Sequence, residues 1–251
     1  MFESYIRELK NVRQLKAESR HAASQLLEMH EHVLSLDKPT VIELGVDRGQ
    51  STKVFLNSIK SKSDALLVSV DIRDCSSVSN SKQWRFIQSD SLNIDEILCQ
   101  APEIKHGVDL VYVDSLHNPE HVKKEIYSYF KFLKVGGIMF FDDVESLPYM
   151  RFQRKDNFHM EISNRKIRDL LVSIFHENSE ALKLEITYGS TGLAKLTKLS
   201  ETSLRLPSER LIERKNTFFW KLVEKIRSRK QYKHSLENVE SFLIDVTKFK
   251  Q

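Results

Sequence analysis

The chain has 251 residues, 40% hydrophobic and 29% charged, which suits one globular domain with modest additions. Two cysteines, Cys75 and Cys99, exclude a disulfide framework, and their wide spacing excludes a CxxC pair. The net charge of +4 lies largely after Ser208 and says little about the central region. The start, MFESYIRELK, carries acid early and lacks an apolar core, so no secretory signal is expected. No uninterrupted apolar segment approaches the length of a bilayer span, and a reducing, cytoplasmic setting is the expectation.

Residues 1–38 are polar and helix-prone, with Tyr5, Ile6, Leu9, Val12 and Leu15, then Leu26, Leu27, Met29, Val33 and Leu34, as apolar positions. They predict two helices capping one end of a sheet. Pro39 breaks the pattern and TVIELG begins the first strand. A loop from Gly45 to Gly49 leads into a helix over Ser51 to Ile59. LLVSVDI (66–72) and RFIQSD (85–90) are the next strands, with a short helix from Asn93 to Gln100.

The stretch VYVDSLHNPEHVKKEIYSYFKFLKVGGIMFFDD, Val111 to Asp143, reads as strand, helix, glycine turn, strand. Val122, Ile126, Tyr129, Phe130 and Leu133 recur at helical spacing, and Gly136–Gly137 supplies the turn. Ile162 to Glu177 is a further helix with Ile167, Leu170, Leu171, Ile174 and Phe175 on one face. LKLEITYG and TGLAKLTK form a closing hairpin. The alternation predicts an α/β fold: a Rossmann-like, mostly parallel seven-stranded sheet with one antiparallel strand and helices on both faces. Extra helices flank it, so the chain divides into an N-terminal helical cap (1–38), a central domain (39–199) and a basic helical extension (200–251). Ser208 to Lys230 is a basic amphipathic helix suited to packing on the central domain or a dimer partner, with membrane-surface docking as the alternative. SLENVESFLIDVTKF is the last helix.

A crossover of this kind makes parallel strands, so strand-end acids gather at one carboxyl edge, where open α/β sheets bind ligands. Asp71, Asp90 and Asp114 each follow a strand, and Asp142–Asp143 follow another. In the first loop, Gly45 lets the chain leave the strand sharply and Gly49 lets a ligand approach the helix start at Ser51. Dinucleotide binding wants a middle glycine where this chain has Asp47, whose charge opposes pyrophosphate.

VIELGVDRGQST resembles the first motif of class I S-adenosylmethionine methyltransferases. The resemblance implies that Glu43 meets the cofactor ammonium, that Asp71 receives ribose hydroxyls, and that Asp90 with Ser91 lies near the adenine amino group. Val111 to Val144 resembles the metal-dependent O-methyltransferases of macrolide and other natural-product sugars, with Val135 where proline is common. That resemblance covers roughly residues 40–200 as motif order. It implies that Asp114, Asp142 and Asp143 hold a divalent cation, with magnesium the best match to carboxylate ligands, and that His117 is the base; His121 is the competing base. Successive strand residues point to opposite faces, so Asp142 and Asp143 can share an ion only if the strand has already turned.

The expected activity is metal-assisted methyl transfer from S-adenosylmethionine to a hydroxyl of a small molecule, most directly a saccharide. The alternatives are RNA ribose 2'-O-methylation and a degenerate scaffold subunit. The near-neutral balance before Ser208 argues against nucleic acid as partner. Residues 147–161, mixed basic and aromatic, are placed to cover a substrate or simply to connect elements.

Overall fold

The computed structural model describes residues 19–146, 158–188, 191–207, 222 and 242–245. Helix α1 (Ser19–Ser35) precedes strand β1 (Thr40–Leu44), helix α2 (Gln50–Ile59), strand β2 (Leu66–Asp71) and strand β3 (Trp84–Gln88). Helix α3 (Ile94–Gln100), strand β4 (Val108–Val113), helix α4 (Pro119–Tyr129) and strand β5 (Leu133–Asp142) follow. Helix α5 (Phe158–Glu177), strands β6 (Leu182–Tyr188) and β7 (Leu193–Lys198), and strand β8 (Phe242–Asp245) complete the order.

The sheet runs β3-β2-β1-β4-β5-β7-β6-β8. Strands β1 to β5 are parallel, while β7 is antiparallel to both β5 and β6. The expected seven strands with one reversed member are therefore present. An eighth strand adds antiparallel to the outer edge of β6. It corrects the expectation of a helix over its residues: Phe-Leu-Ile-Asp is a short apolar run, and an open strand edge offers it unpaired backbone groups. Residues 1–18 and most of Ser208–Lys230 lie outside the described residues, as do 147–157. Among the described residues no helix is long and apolar enough to cross a membrane.

Strand alternation divides the core in two. Ile42, Leu44, Val68, Val70, Val111, Val113, Met139 and Phe141 face α4 and α5 through Val122, Ile126, Ile167, Leu171, Ile174 and Phe175. Val41, Leu67, Leu110, Tyr112, Ile138 and Phe140 face the other way, onto Met29 and Val33 of α1 and Phe55 and Ile59 of α2. Gly136 and Gly137 do not form a turn between elements. They lie inside β5, where the pairing with β4 jumps from Val108–Leu133 to Leu110–Ile138. The extra residues form a bulge, and Gly136 takes φ +83° there.

Candidate active site

The carboxyl ends of β1, β2 and β4 and the loop after β3 surround a cavity of about 330 Å³. Gly45, Asp71, Asp90, Ser91 and Asp114 line it, and so does His121. Gly45 has φ +97°, and a Cβ there would stand 2.0 Å from the Asp114 carbonyl oxygen. No other residue lets the loop pass this close to the end of β4.

Asp71 organises the loop. Its Oδ2 accepts from the N–H groups of Val46 (2.9 Å) and Asp47 (3.1 Å), and its Oδ1 from the Arg73 N–H (2.9 Å). Burial pushes its pKa up, but these backbone donors and the Arg73 guanidinium outweigh burial and hold it below the ordinary carboxylate value. The same bonds bear on pyrophosphate. Asp47 itself is paired to Arg73 at 3.0 Å, so its charge is partly offset. The backbone donors of Val46 and Asp47 that would cradle a phosphate already belong to Asp71.

Glu43 is not on the cavity wall. Alternation along β1 turns it to the same face as Val41, and it is fully buried. Its Oε1 accepts from Ser51 Oγ at 2.5 Å; its Oε2 accepts from Thr52 Oγ1 (2.7 Å) and Ser69 Oγ (2.6 Å). Glu43 and Ser51 therefore tie the first turn of α2 to β1 and β2 instead of facing a ligand. Burial pushes the Glu43 carboxyl up to about 7, against the pull of the three hydroxyls. Gly49 has φ +72°, and its missing side chain leaves room for Val78, since a Cβ would meet Val78 Cγ1 at 2.1 Å. It too shapes the loop without lining the cavity.

Beside the cavity, Asp114, Asp142 and Asp143 converge on His117 and Tyr112. His117 Nε2 lies 3.3 Å from Asp143 Oδ2 and 3.6 Å from Asp114 Oδ1. The Tyr112 hydroxyl reaches Asp142 Oδ2 at 3.0 Å and Asp114 Oδ2 at 3.3 Å. Tyr112 points from the α2 face of β4 and packs edge-on to Phe55; nothing in the sequence pattern marked it out. Asp142 Oδ1 also accepts from the Asp143 N–H (2.8 Å) and Thr191 Oγ1 (3.1 Å). Asp143 adopts φ +57°, so the chain has left strand geometry and both acids can turn toward one region. Enclosure, then the charges of Asp142 and Asp143, hold the Asp114 carboxyl well above its usual range, tempered by water reaching a side chain that is 35% exposed.

Three crowded carboxylates with an imidazole are a donor set that suits a hard divalent cation, and their mutual repulsion is what such an ion would relieve. As they stand, no group of three His, Cys, Asp or Glu side chains among the described residues has the geometry to hold a metal ion. Asp142 has both oxygens occupied by protein donors, and the His117 ring sits between the other two acids. The residues fit a cation by chemistry, and side chains would have to turn for them to grip one.

His121 has a different setting from His117. Asn118 caps α4 by accepting from the Glu120 and His121 N–H groups, with Pro119 in the first turn. His121 Nε2 lies 3.0 Å from Ser91 Oγ and 3.2 Å from Glu125 Oε1. The hydrogen bond to Glu125 raises its pKa. Ser91 Oγ gives its own proton to Glu125 at 2.5 Å, so both neighbours of Nε2 accept and that nitrogen carries a proton.

Residues 42–144 match a family model described as a methyltransferase domain. Over that span, less than half of its length, the chain is similar to methyltransferase domains. The match takes in β1 to β5 and both acid groups, which are the parts that build the cavity. No curated protein matches the sequence. Among solved structures, the O-methyltransferase TomG from Streptomyces achromogenes, involved in tomaymycin synthesis and bound to SAM, is 13% identical with a TM-score of 0.52, covering 71% of this chain and 81% of that one. A protein from Clostridium thermocellum described as an rRNA methylase is 14% identical with a TM-score of 0.52, covering 69% and 97%. The MycE methyltransferase of the mycinamycin pathway, solved with Mg, SAH and mycinamycin VI, is 18% identical with a TM-score of 0.49. That match covers 73% of this chain and 51% of the MycE chain, so the chain spans about half the length of that enzyme. At these identities the likeness to the TomG and Clostridium thermocellum proteins shows a shared Rossmann-like methyltransferase fold and nothing finer. It does not distinguish a small-molecule acceptor from RNA.

Proposed function

We propose that the chain is an S-adenosylmethionine-dependent O-methyltransferase that acts on a small-molecule hydroxyl, with a saccharide or glycoside as acceptor class. One observation carries the reading: an acid-lined cavity over Gly45 adjoins a second carboxylate cluster that holds an imidazole between two acids. The cavity, with Asp71 and Asp90 on its wall, suits a ligand rich in hydroxyl and amino donors. The neighbouring cluster suits activation of an alcohol. SAM bound to TomG, which shares the fold, supports the choice of cofactor.

In this reading the acceptor oxygen attacks the sulfonium methyl carbon, the carbon–sulfur bond breaks toward sulfur, and the hydroxyl proton passes to His117. Asp114 and Asp143 flank that imidazole, orient it and stabilise the imidazolium that forms. Asp114, Asp142 and Asp143 would hold a divalent cation, which when bound supplies Lewis acidity that lowers the hydroxyl pKa. Tyr112 keeps two of these acids in register. His121 is bound instead to Ser91 and Glu125, away from the three acids.

The decisive experiment is methyl transfer from radiolabelled donor to glycosides, nucleotide sugars, phenols and RNA, with and without magnesium. Transfer to a saccharide that is lost in EDTA and restored by magnesium supports the whole reading. Transfer to RNA ribose moves the chain to the second reading, which the fold likeness to an rRNA methylase keeps in view. Absence of S-adenosylhomocysteine binding would leave only the scaffold reading.

A further inference from the structure

Glu125 does not line the cavity, yet it controls three side chains that do. It is fully buried on α4. Its Oε1 accepts from Ser91 Oγ (2.5 Å) and Ser115 Oγ (2.7 Å) and stands 3.2 Å from His121 Nε2. Ser91, Ser115 and His121 come from the loop after β3, the loop after β4 and the first turn of α4, and all three line the cavity. Its Oε2 is buried with no hydrogen-bond partner among the described residues. An oxygen left so is a cost that packing alone does not justify.

We propose that Glu125 is a positioning residue that draws both seryl protons away from the cavity, so that this wall presents acceptor oxygens and selects a nucleobase edge that donates. The inference rests on the cofactor reading above and deepens it. A hydroxyl has one proton and two lone pairs. With the protons of Ser91 and Ser115 committed to Glu125, only their lone pairs face a ligand. Asp90 on the same wall is acceptor-only as a carboxylate. A ligand edge carrying an amino group meets matching acceptors there, and an edge carrying a carbonyl meets opposed lone pairs. The adenine amino group is the donor that an adenosylated cofactor supplies.

The test is calorimetric binding to the full chain of S-adenosylhomocysteine and of S-inosylhomocysteine, in which a carbonyl replaces the amino group. The wild-type protein is expected to prefer the adenosyl ligand by at least about 10-fold, since sites built to hydrogen-bond a group reject analogues that lack it. In Glu125→Leu both serines lose the oxygen they share, so their protons are free to turn to the cavity. The preference should fall to about 3-fold or less, with the inosyl ligand gaining relative to the adenosyl one. If Glu125→Leu weakens both ligands equally, Glu125 is structural and the proposal fails. Ser115→Ala guards against a Glu125 variant that does not fold: it should lower adenosyl affinity more than inosyl affinity, and equal affinities before and after overturn the proposal. Binding of neither ligand by the wild-type protein overturns the cofactor reading and this assignment with it. A wild-type protein that binds both equally overturns this assignment alone.

Discussion

Replacing Glu43 by Gln tests whether the first-strand acid is structural. The wild-type carboxyl is fully buried among Ser51, Thr52 and Ser69, with its pKa raised from 4.5 to about 7. A carboxyl with a raised native pKa binds its proton more tightly when folded. Its stabilising contribution is therefore complete below the unfolded value and is lost as pH climbs through about 7. A shift of about 2.5 units corresponds to roughly 3 kcal/mol once ionisation is complete, and about 2.5 kcal/mol of that falls between about pH 5 and about pH 8. Gln cannot ionise, and its amide can still bond the three hydroxyls because each can donate or accept. The stability of Glu43→Gln relative to wild type should therefore improve by about 2–3 kcal/mol across that interval, read from urea unfolding at a series of pH values. Other titrating groups are common to both proteins and cancel in the difference. Parallel stability profiles would refute the reasoning, because they would mean that Glu43 stays ionised in the fold or faces a compensating cation.

Gly45→Ala should abolish S-adenosylhomocysteine binding in calorimetry: the new methyl would stand 2.0 Å from a carbonyl at φ +97°, and left-handed strain alone costs about 1–2 kcal/mol. His117→Ala should remove turnover, by about 100-fold or more, while leaving cofactor affinity within about 2-fold; His121→Ala should do the reverse, and an equal loss of turnover in both would undo the assignment of roles. Asp142→Asn and Asp143→Asn should weaken magnesium binding measured by titration without substrate, and unchanged affinity in both would remove the acids as ion ligands. Tyr112→Phe takes away the hydroxyl shared by Asp114 and Asp142, so magnesium should bind with an altered affinity while adenosyl binding stays unchanged.

Which features were legible in the sequence follows from how local their causes are. Strand and helix alternation from β1 to β5 could be read because apolar period and glycine turns are written in neighbouring residues. So could the gathering of Asp71, Asp90 and Asp114, since parallel strands place their ends together. Glu43 was read toward a ligand because a motif gives order along the chain, while strand alternation and the hydroxyls of α2 turn it inward. Gly136–Gly137 read as a turn because a bulge inside a strand uses the same residue types. Phe242–Asp245 read as helix because a lone edge strand depends on a partner, β6, more than fifty residues earlier. Tyr112 and Glu125 left no trace, since each looks like an ordinary core or helix-face residue until three elements meet around it.

The acids at this sheet edge are handled in physically different ways, and the difference locates the chemistry. Glu43 is quieted by hydroxyls and a raised pKa. Asp71 is stabilised by three backbone N–H groups, which fixes it as an anion on the cavity wall. Glu125 is bound to two serines and a histidine. Asp114, Asp142 and Asp143 are set against one another, with Asp114 pushed well above its usual range by burial and then by the charges of Asp142 and Asp143. This crowding, beside a residue with left-handed backbone, lies where the proposed reaction takes up a proton or holds a cation. The imidazole of His117 stands within that group of acids, and the ligand cavity borders it through Asp114.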